Sequence, residues 1–252
     1  MLKRINKLPE ANVEYIKFEL EGSKHFNIHS TLPIADFYFS DHEKLKKVIL
    51  GKVELLKKEL EKVTGKKEQY NAGGTKTKNI FTNSHHYYNI LRDSLFKDEP
   101  IIKKFKLFLT DCFSYYSKLL YDQEFNIFYT KCWLNRLEKY EYLDIHNHYV
   151  LGKTPSFSCH YDLSVTNYPT YTCYYNIYNY NVMRNEPKYG DLQRENVEGT
   201  VTCFPGFLPH KTTPVKSDDI RYTLGMDIIF DEAMYDTRII ESIYEPLEVA
   251  HG

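Results

Sequence analysis

The sequence is poor in the residues that staple, anchor or polarise a chain. Its five cysteines, Cys112, Cys132, Cys159, Cys173 and Cys203, are odd in number and scattered, and no two form a Cys-x-x-Cys pair. That spacing excludes a zinc cluster and argues against a disulfide framework, so buried free thiols in a reducing, cytoplasmic setting are expected. No apolar run is long enough to span a membrane, and Met1-Leu2-Lys3-Arg4 turns polar at once, so neither a membrane partner nor a signal peptide is expected. Net charge is also lacking. Lys and Arg total 33 against 34 Asp and Glu, a formal charge of −1. A general nucleic-acid binder needs a basic stripe, so nucleic acid is disfavoured as a partner, although a narrow basic cleft remains compatible with this balance. No internal repeat and no low-complexity linker is visible.

What is present suits one sizeable domain. The 252 residues are 42 % apolar and 27 % charged, which allows a core and a solvated surface. Abundant Tyr, Lys and Asn suggest an AT-rich genome of viral or bacterial type. The character of the chain changes near Gln123. Residues 1–122 read as a mostly helical buttress and rim, 123–230 as a β core, and 231–252 as a C-terminal extension.

Two helices are expected in the first part. One covers about 41–64, with Ser40 and Glu43 as a capping box, Leu45, Ile49, Leu56, Leu60 and Val63 on one face, and Gly65 just past its end. The lysines between them are a solvated face. A Gly-, Lys- and Asn-rich loop follows over 66–84, and His85-His86 reads as surface. The second helix covers about 100–121, with Asp98 near its cap, Pro100 in its first turn, and an aromatic stripe through Phe105, Phe108 and Phe113 that belongs to the core. Short strands over 13–20 and 35–39 precede them.

From Phe125 onward, eight strand candidates alternate with turn signals: 127–137, 141–148, 156–165, 171–179, 191–196, 199–204, 210–215 and 221–230. Eight short strands with helices segregated ahead of them indicate an α+β, mainly β fold, a sandwich or barrel buttressed on one sheet.

Three features of this half carry chemistry. His146-Asn147-His148 ends the second strand, and alternation puts both imidazoles on one face. His210 opens the seventh strand after Phe204-Pro205-Gly206-Phe207-Leu208-Pro209. Arg221 opens the eighth, eleven positions later, with Thr223 on the same face. A mononuclear non-haem iron needs protein ligands on one side and open positions on the other. A planar guanidinium suits a carboxylate.

These pieces resemble the Fe(II)/2-oxoglutarate-dependent oxygenase superfamily, near its prolyl-4-hydroxylase-like and phage-type branch. Trp133-Leu134-Asn135 with Ile145-His146-Asn147-His148 is similar to a W-x-N … H-x-H signature. Phe204-Pro205, His210, Pro214 and Arg221-Tyr222-Thr223 are similar to its FP … H … P … R-x-S/T end. The resemblance implies a double-stranded β-helix, a jelly-roll, cupin-like fold. It implies Fe(II) on His146, His148 and His210, and 2-oxoglutarate anchored by Arg221 with Thr223 and Asn135. It also implies O2 as oxidant, with the cosubstrate decarboxylated to succinate while a C–H bond of a small-molecule or peptidyl substrate is hydroxylated.

One departure leaves an alternative open. Most of the superfamily uses His-x-Asp, and a literal His-x-Asp occurs at His160-Tyr161-Asp162. Strand counting favours His146, because four strands then lie between it and His210, whereas only three follow His160. The third ligand is His148, Asp162 or water. Two further alternatives stand: a cupin-like three-histidine dioxygenase without 2-oxoglutarate, and an inactive binding module. A zinc hydrolase is weaker, since no Glu sits in a general-base motif.

Overall fold

The strands of the second half pair in a nested order, and this order defines the architecture. The computed structural model describes residues 10–19, 29–56, 58, 90–122, 125, 127–148, 157–175, 192–230 and 245–248. Its strands are β1 (Ala11–Glu19), β2 (His29–Tyr38), β3 (Ile127–Leu137), β4 (Phe157–Ser164), β5 (Tyr171–Tyr174), β6 (Leu192–Glu195), β7 (Thr200–Phe204), β8 (His210–Thr212), β9 (Arg221–Ile229) and β10 (Glu245–Glu248). Its principal helices are α1 (His42–Gly51) and α2 (Pro100–Tyr121). Strand β3 pairs with β9, segment 141–148 with β8, β4 with β7, and β5 with β6, all antiparallel. In the eight-strand core the first strand thus meets the last, the second the seventh, the third the sixth and the fourth the fifth. That winding is a double-stranded β-helix, the jelly roll anticipated from the sequence.

Two sheets result. The larger runs β1-β2-β7-β4-β9-β3-β10, and the smaller runs β6-β5-β8. Segment 141–148 lies beside β8 and completes the smaller layer. It forms no regular ladder beyond the His146–His210 bridge, unlike the strand expected over 141–148. Its backbone is satisfied piecemeal. The His146 and His210 main chains exchange N–H···O bonds of 2.9 and 2.8 Å, and Thr212 N–H donates to the Leu143 carbonyl. Side chains take other groups: Leu143 N–H donates to Thr212 Oγ1 and Ile145 N–H to Asp144 Oδ1. Local side-chain bonds here compete with the ladder.

Strands β1 and β2 widen the larger sheet beyond β7, and β10 widens it beyond β3. The expected C-terminal extension therefore contributes a strand. Helix α2 covers the outer face of this sheet over the expected range. Pro100 occupies its first turn, Glu99 is its cap with Asp98 beside it, and Asp122 ends it in a left-handed conformation at φ 55°. Its buried stripe is Ile102, Phe105, Leu109, Cys112, Phe113 and Tyr116. The aromatic rings pack on the sheet: Phe113 and Tyr116 meet Phe157 edge to face at 5.5 and 5.1 Å, and Phe105 lies tilted 4.9 Å from Tyr161.

Helix α1 departs from expectation. It stops at Gly51, Lys52 caps it, and a further helical turn covers 53–56. Glycine is a poor helix former, and the Lys52 ammonium is drawn to Glu99 at 2.5 Å and to the Leu95 carbonyl at 2.6 Å. Ser40 and Glu43 form no capping box. Asp41 is the N-cap without a side-chain cap bond, its carboxylate taken by Lys44 and Lys104. Leu45, Ile49 and Leu56 are buried as anticipated, and Val53 is buried with them. Leu60, Val63, Gly65, loop 66–84 and His85-His86 lie outside the described residues. All five cysteines are buried and free. Among the described residues, no helix is long and apolar enough to cross a membrane.

Candidate metal centre

His146, His148 and His210 converge at the mouth of the β-helix, with ligand atoms all within 4.8 Å of one another. Their ring centroids are 4.3 Å apart for His146–His210, 5.2 Å for His148–His210 and 5.5 Å for His146–His148. The backbone bridge between His146 and His210 sets this spacing, so the register of segment 141–148 against β8 builds the site directly.

Each ring is oriented by an oxygen at its Nδ1. His146 Nδ1 lies 2.7 Å from the Asp144 carbonyl, His210 Nδ1 2.9 Å from the Leu208 carbonyl, and His148 Nδ1 2.5 Å from Asp227 Oδ1. Oxygen accepts, so each Nδ1 carries the proton and each Nε2 keeps its lone pair for a ligand. This is the outer-shell pattern of metal-binding histidines. Burial, together with the charge of His148, holds the His146 imidazole down to about 4. Burial and the two neighbouring rings hold His210 well below the ordinary histidine range. Three convergent imidazoles form a donor set that suits Fe(II) and other borderline divalent metals.

No sequence motif marks Asp227, although it sits on the inward parity of β9 with Arg221 and Thr223. It receives the His148 ring and the Ser158 hydroxyl, the latter at 3.0 Å. Burial opposes its charge, but His148, Lys131 and Ser158 outweigh that and hold its carboxyl below the ordinary range. Trp133 forms a wall beside the centre, its ring 5.8 Å from that of His148. It fits because Gly225 lies beneath it: a Cβ at Gly225 would sit 2.5 Å from the indole.

His160 and Asp162 face the barrel interior, as alternation predicted. They are not part of the three-histidine cluster. Asp162 Oδ1 instead pairs with Arg221 Nη2 at 3.0 Å, and His160 Nε2 lies 3.8 Å from Asp162 Oδ2. Asp162, Thr223 and Asn135 stand in register across β4, β9 and β3. Asn135 Nδ2 is 3.5 Å from Thr223 Oγ1. Arg221 is 2 % exposed, and its Nε and Nη1 find no partner among the described residues; neither does the buried Tyr174 hydroxyl. Unpaired guanidinium N–H groups inside a barrel ask for an acceptor.

No protein-family model matches the sequence, and no curated protein is similar to it. Solved structures are similar in fold. An oxidoreductase of the 2OG-Fe(II) oxygenase family from Burkholderia pseudomallei is 14 % identical, over 53 % of this chain and 60 % of that one, with a TM-score of 0.38. A Pseudomonas putida prolyl-4-hydroxylase is 10 % identical over 53 % of this chain and 68 % of its own, with a TM-score of 0.36. AviO1 from Streptomyces viridochromogenes is 12 % identical over 81 % and 91 %, with a TM-score of 0.48. The chain thus spans less than two thirds of the Burkholderia structure. The fold stands on its own strand order, and members of the 2OG-Fe(II) oxygenase family are among the solved structures that this chain resembles.

Proposed function

We propose that the protein is an Fe(II)- and 2-oxoglutarate-dependent oxygenase that hydroxylates a C–H bond. The observation that carries this is the pairing, in one barrel, of three Nε2-presenting imidazoles with a buried arginine that keeps two unpaired N–H donors. His146, His148 and His210 would hold the iron, which departs from the His-x-Asp pattern at its third ligand. Iron(II) with bound 2-oxoglutarate would supply oxidation by O2, with the cosubstrate lost as succinate and CO2 and one oxygen atom passing to the substrate.

The chain's own part is orientation. The Asp144 and Leu208 carbonyls and the Asp227 carboxylate fix the three rings. Arg221 would receive the distal carboxylate through its unpaired Nη1, with Thr223 and Asn135 lining the same inward face. Trp133 shields the centre from water on one side. The substrate is a small molecule or a peptide, and the five buried thiols suit a cytoplasmic protein.

A cupin-like three-histidine dioxygenase without 2-oxoglutarate is the second proposal. It is favoured by the all-histidine set and by the partial engagement of Arg221 with Asp162. Succinate release from 2-oxoglutarate with Fe(II) separates them. Wild type should produce succinate and His210→Ala should produce none; equal turnover in both, or none in either, overturns the assignment.

A further inference from the structure

Inside the barrel, Arg221 is not a lone cation. Asp162 is 1 % exposed and Arg221 2 %, and they touch at 3.0 Å through Nη2. The pair is built into the sheet. Asp162 faces Thr223 across β4 and β9, two residues along the strand from Arg221, and the Asp162 carbonyl is pinned by the Gly199 N–H at 2.9 Å. Gly199 itself, at φ 83°, fits against Tyr38 and His42 where a Cβ would clash. Nearby, Arg194 is matched by Asp36. A carboxylate entering this barrel therefore meets a guanidinium whose charge is already balanced.

We infer that Asp162 is a positioning and selectivity residue of the anion subsite, holding the Arg221 fork by Nη2 so that Nη1 stays free to face the ligand, while weakening the hold on any ligand carboxylate. This rests on the proposed function, since it takes the distal carboxylate of 2-oxoglutarate as the ligand. The two effects are separable. An Asn at this position still offers an oxygen to Nη2 but carries no charge. It keeps the fork in place and leaves Arg221 with a full positive charge toward the ligand. Within a barrel, removing a like charge a few ångströms from a bound carboxylate is worth at least about tenfold in affinity. An Ala removes both effects and frees the guanidinium to move.

The test is calorimetric binding to the anaerobic Fe(II)-loaded protein, with 2-oxoglutarate and with 2-oxobutyrate, a 2-oxo acid lacking a distal carboxylate. Asp162→Asn should bind 2-oxoglutarate at least about tenfold tighter than wild type and leave 2-oxobutyrate unchanged. Asp162→Ala should bind 2-oxoglutarate more weakly than Asp162→Asn. A purely structural role would move both ligands together or neither. If Asp162→Asn does not fold, Asp162→Ser carries the same charge change in a smaller side chain and should also tighten 2-oxoglutarate alone. Equal or weaker binding of 2-oxoglutarate by the folded variant overturns the inference. Failure of the proposed function looks different: wild type itself would then not bind 2-oxoglutarate, and both ideas would fall together.

Discussion

Strands β4 and β9 present two faces of nearly equal burial and opposite chemistry. Toward α2 they turn Phe157, Cys159, Tyr161, Leu163, Leu224, Met226 and Ile228, all within the main apolar core. Toward the barrel interior they turn Ser158, His160, Asp162, Arg221, Thr223, Gly225 and Asp227. Both strands read as almost continuously buried, so burial alone does not tell the faces apart. The difference lies in what satisfies each face. The outer face is complete by dispersion and area removed from water. The inner face is complete only through hydrogen bonds and ion pairs, and among the described residues it still leaves Arg221 Nε and Nη1 without partners. A buried polar face with donors left over is a face waiting for a ligand.

If that division holds, damage to the outer face should cost stability and spare the site. Phe157 sits between Phe113, Tyr116 and Phe230. Phe157→Ala should cost about 3–5 kcal/mol, as large-to-small changes of a buried aromatic do. Thermal or urea unfolding measures it. The metal affinity of the remaining folded protein should stay within about twofold of wild type. A large loss of metal affinity at unchanged stability would erase the distinction between the faces.

Damage to the inner face should do the reverse. Asp227→Ala removes the carboxylate that orients the His148 ring. Losing such an outer-shell partner should weaken metal binding about 10–100-fold, measured by anaerobic Fe(II) or Co(II) titration. An unchanged affinity would show that His148 is not held for a metal.

The same two faces explain how much could be read from the sequence. Alternation exposed the inward parity of His146 and His148, of His160 and Asp162, and of Arg221 and Thr223, because the period of a strand is fixed by the backbone. Strand counting placed His146 opposite His210, since a nested winding admits one partner for each strand. Helix α2 was legible from Pro100 and its apolar stripe. Less was legible where side chains override the backbone pattern. Segment 141–148 lost its ladder to Asp144 and Thr212, and α1 ended at Gly51 beside a lysine drawn elsewhere. Asp227 and the Asp162–Arg221 pair were invisible as partners, because each joins residues that are far apart in sequence or on different strands. The edge strand β10 was missed because four residues in a polar tail carry too little alternation to stand out.

Acid gives the subtlest contrast between the faces. On the outer side, burial pushes the thiols of Cys112, Cys132 and Cys159 and the phenols of Tyr116 and Tyr161 upward, so none of them changes charge as pH falls. On the inner side, burial and the Arg221 and Arg194 guanidinium groups hold His160 down to about 3, and burial with His148 holds His146 at about 4. In the unfolded chain these rings titrate near the ordinary 6.5. Between those values the unfolded chain binds more protons than the native one, so stability is full above about 6.5 and falls as pH drops below it. Asp36 and Asp162, raised by burial, act in the opposite sense. Near about pH 5.5 each of the two histidines costs about 1 kcal/mol relative to about pH 7. Metal-free protein should melt lower at the more acidic pH. His160 lies outside the three-histidine cluster, so His160→Gln should remove its share of that drop while leaving Fe(II) affinity nearly intact. Thermal melts at the two pH values in the presence of a chelator measure it. A variant with the full wild-type drop would mean that the interior around His160 is open to water in solution, and that the polar face is not sealed as its burial implies.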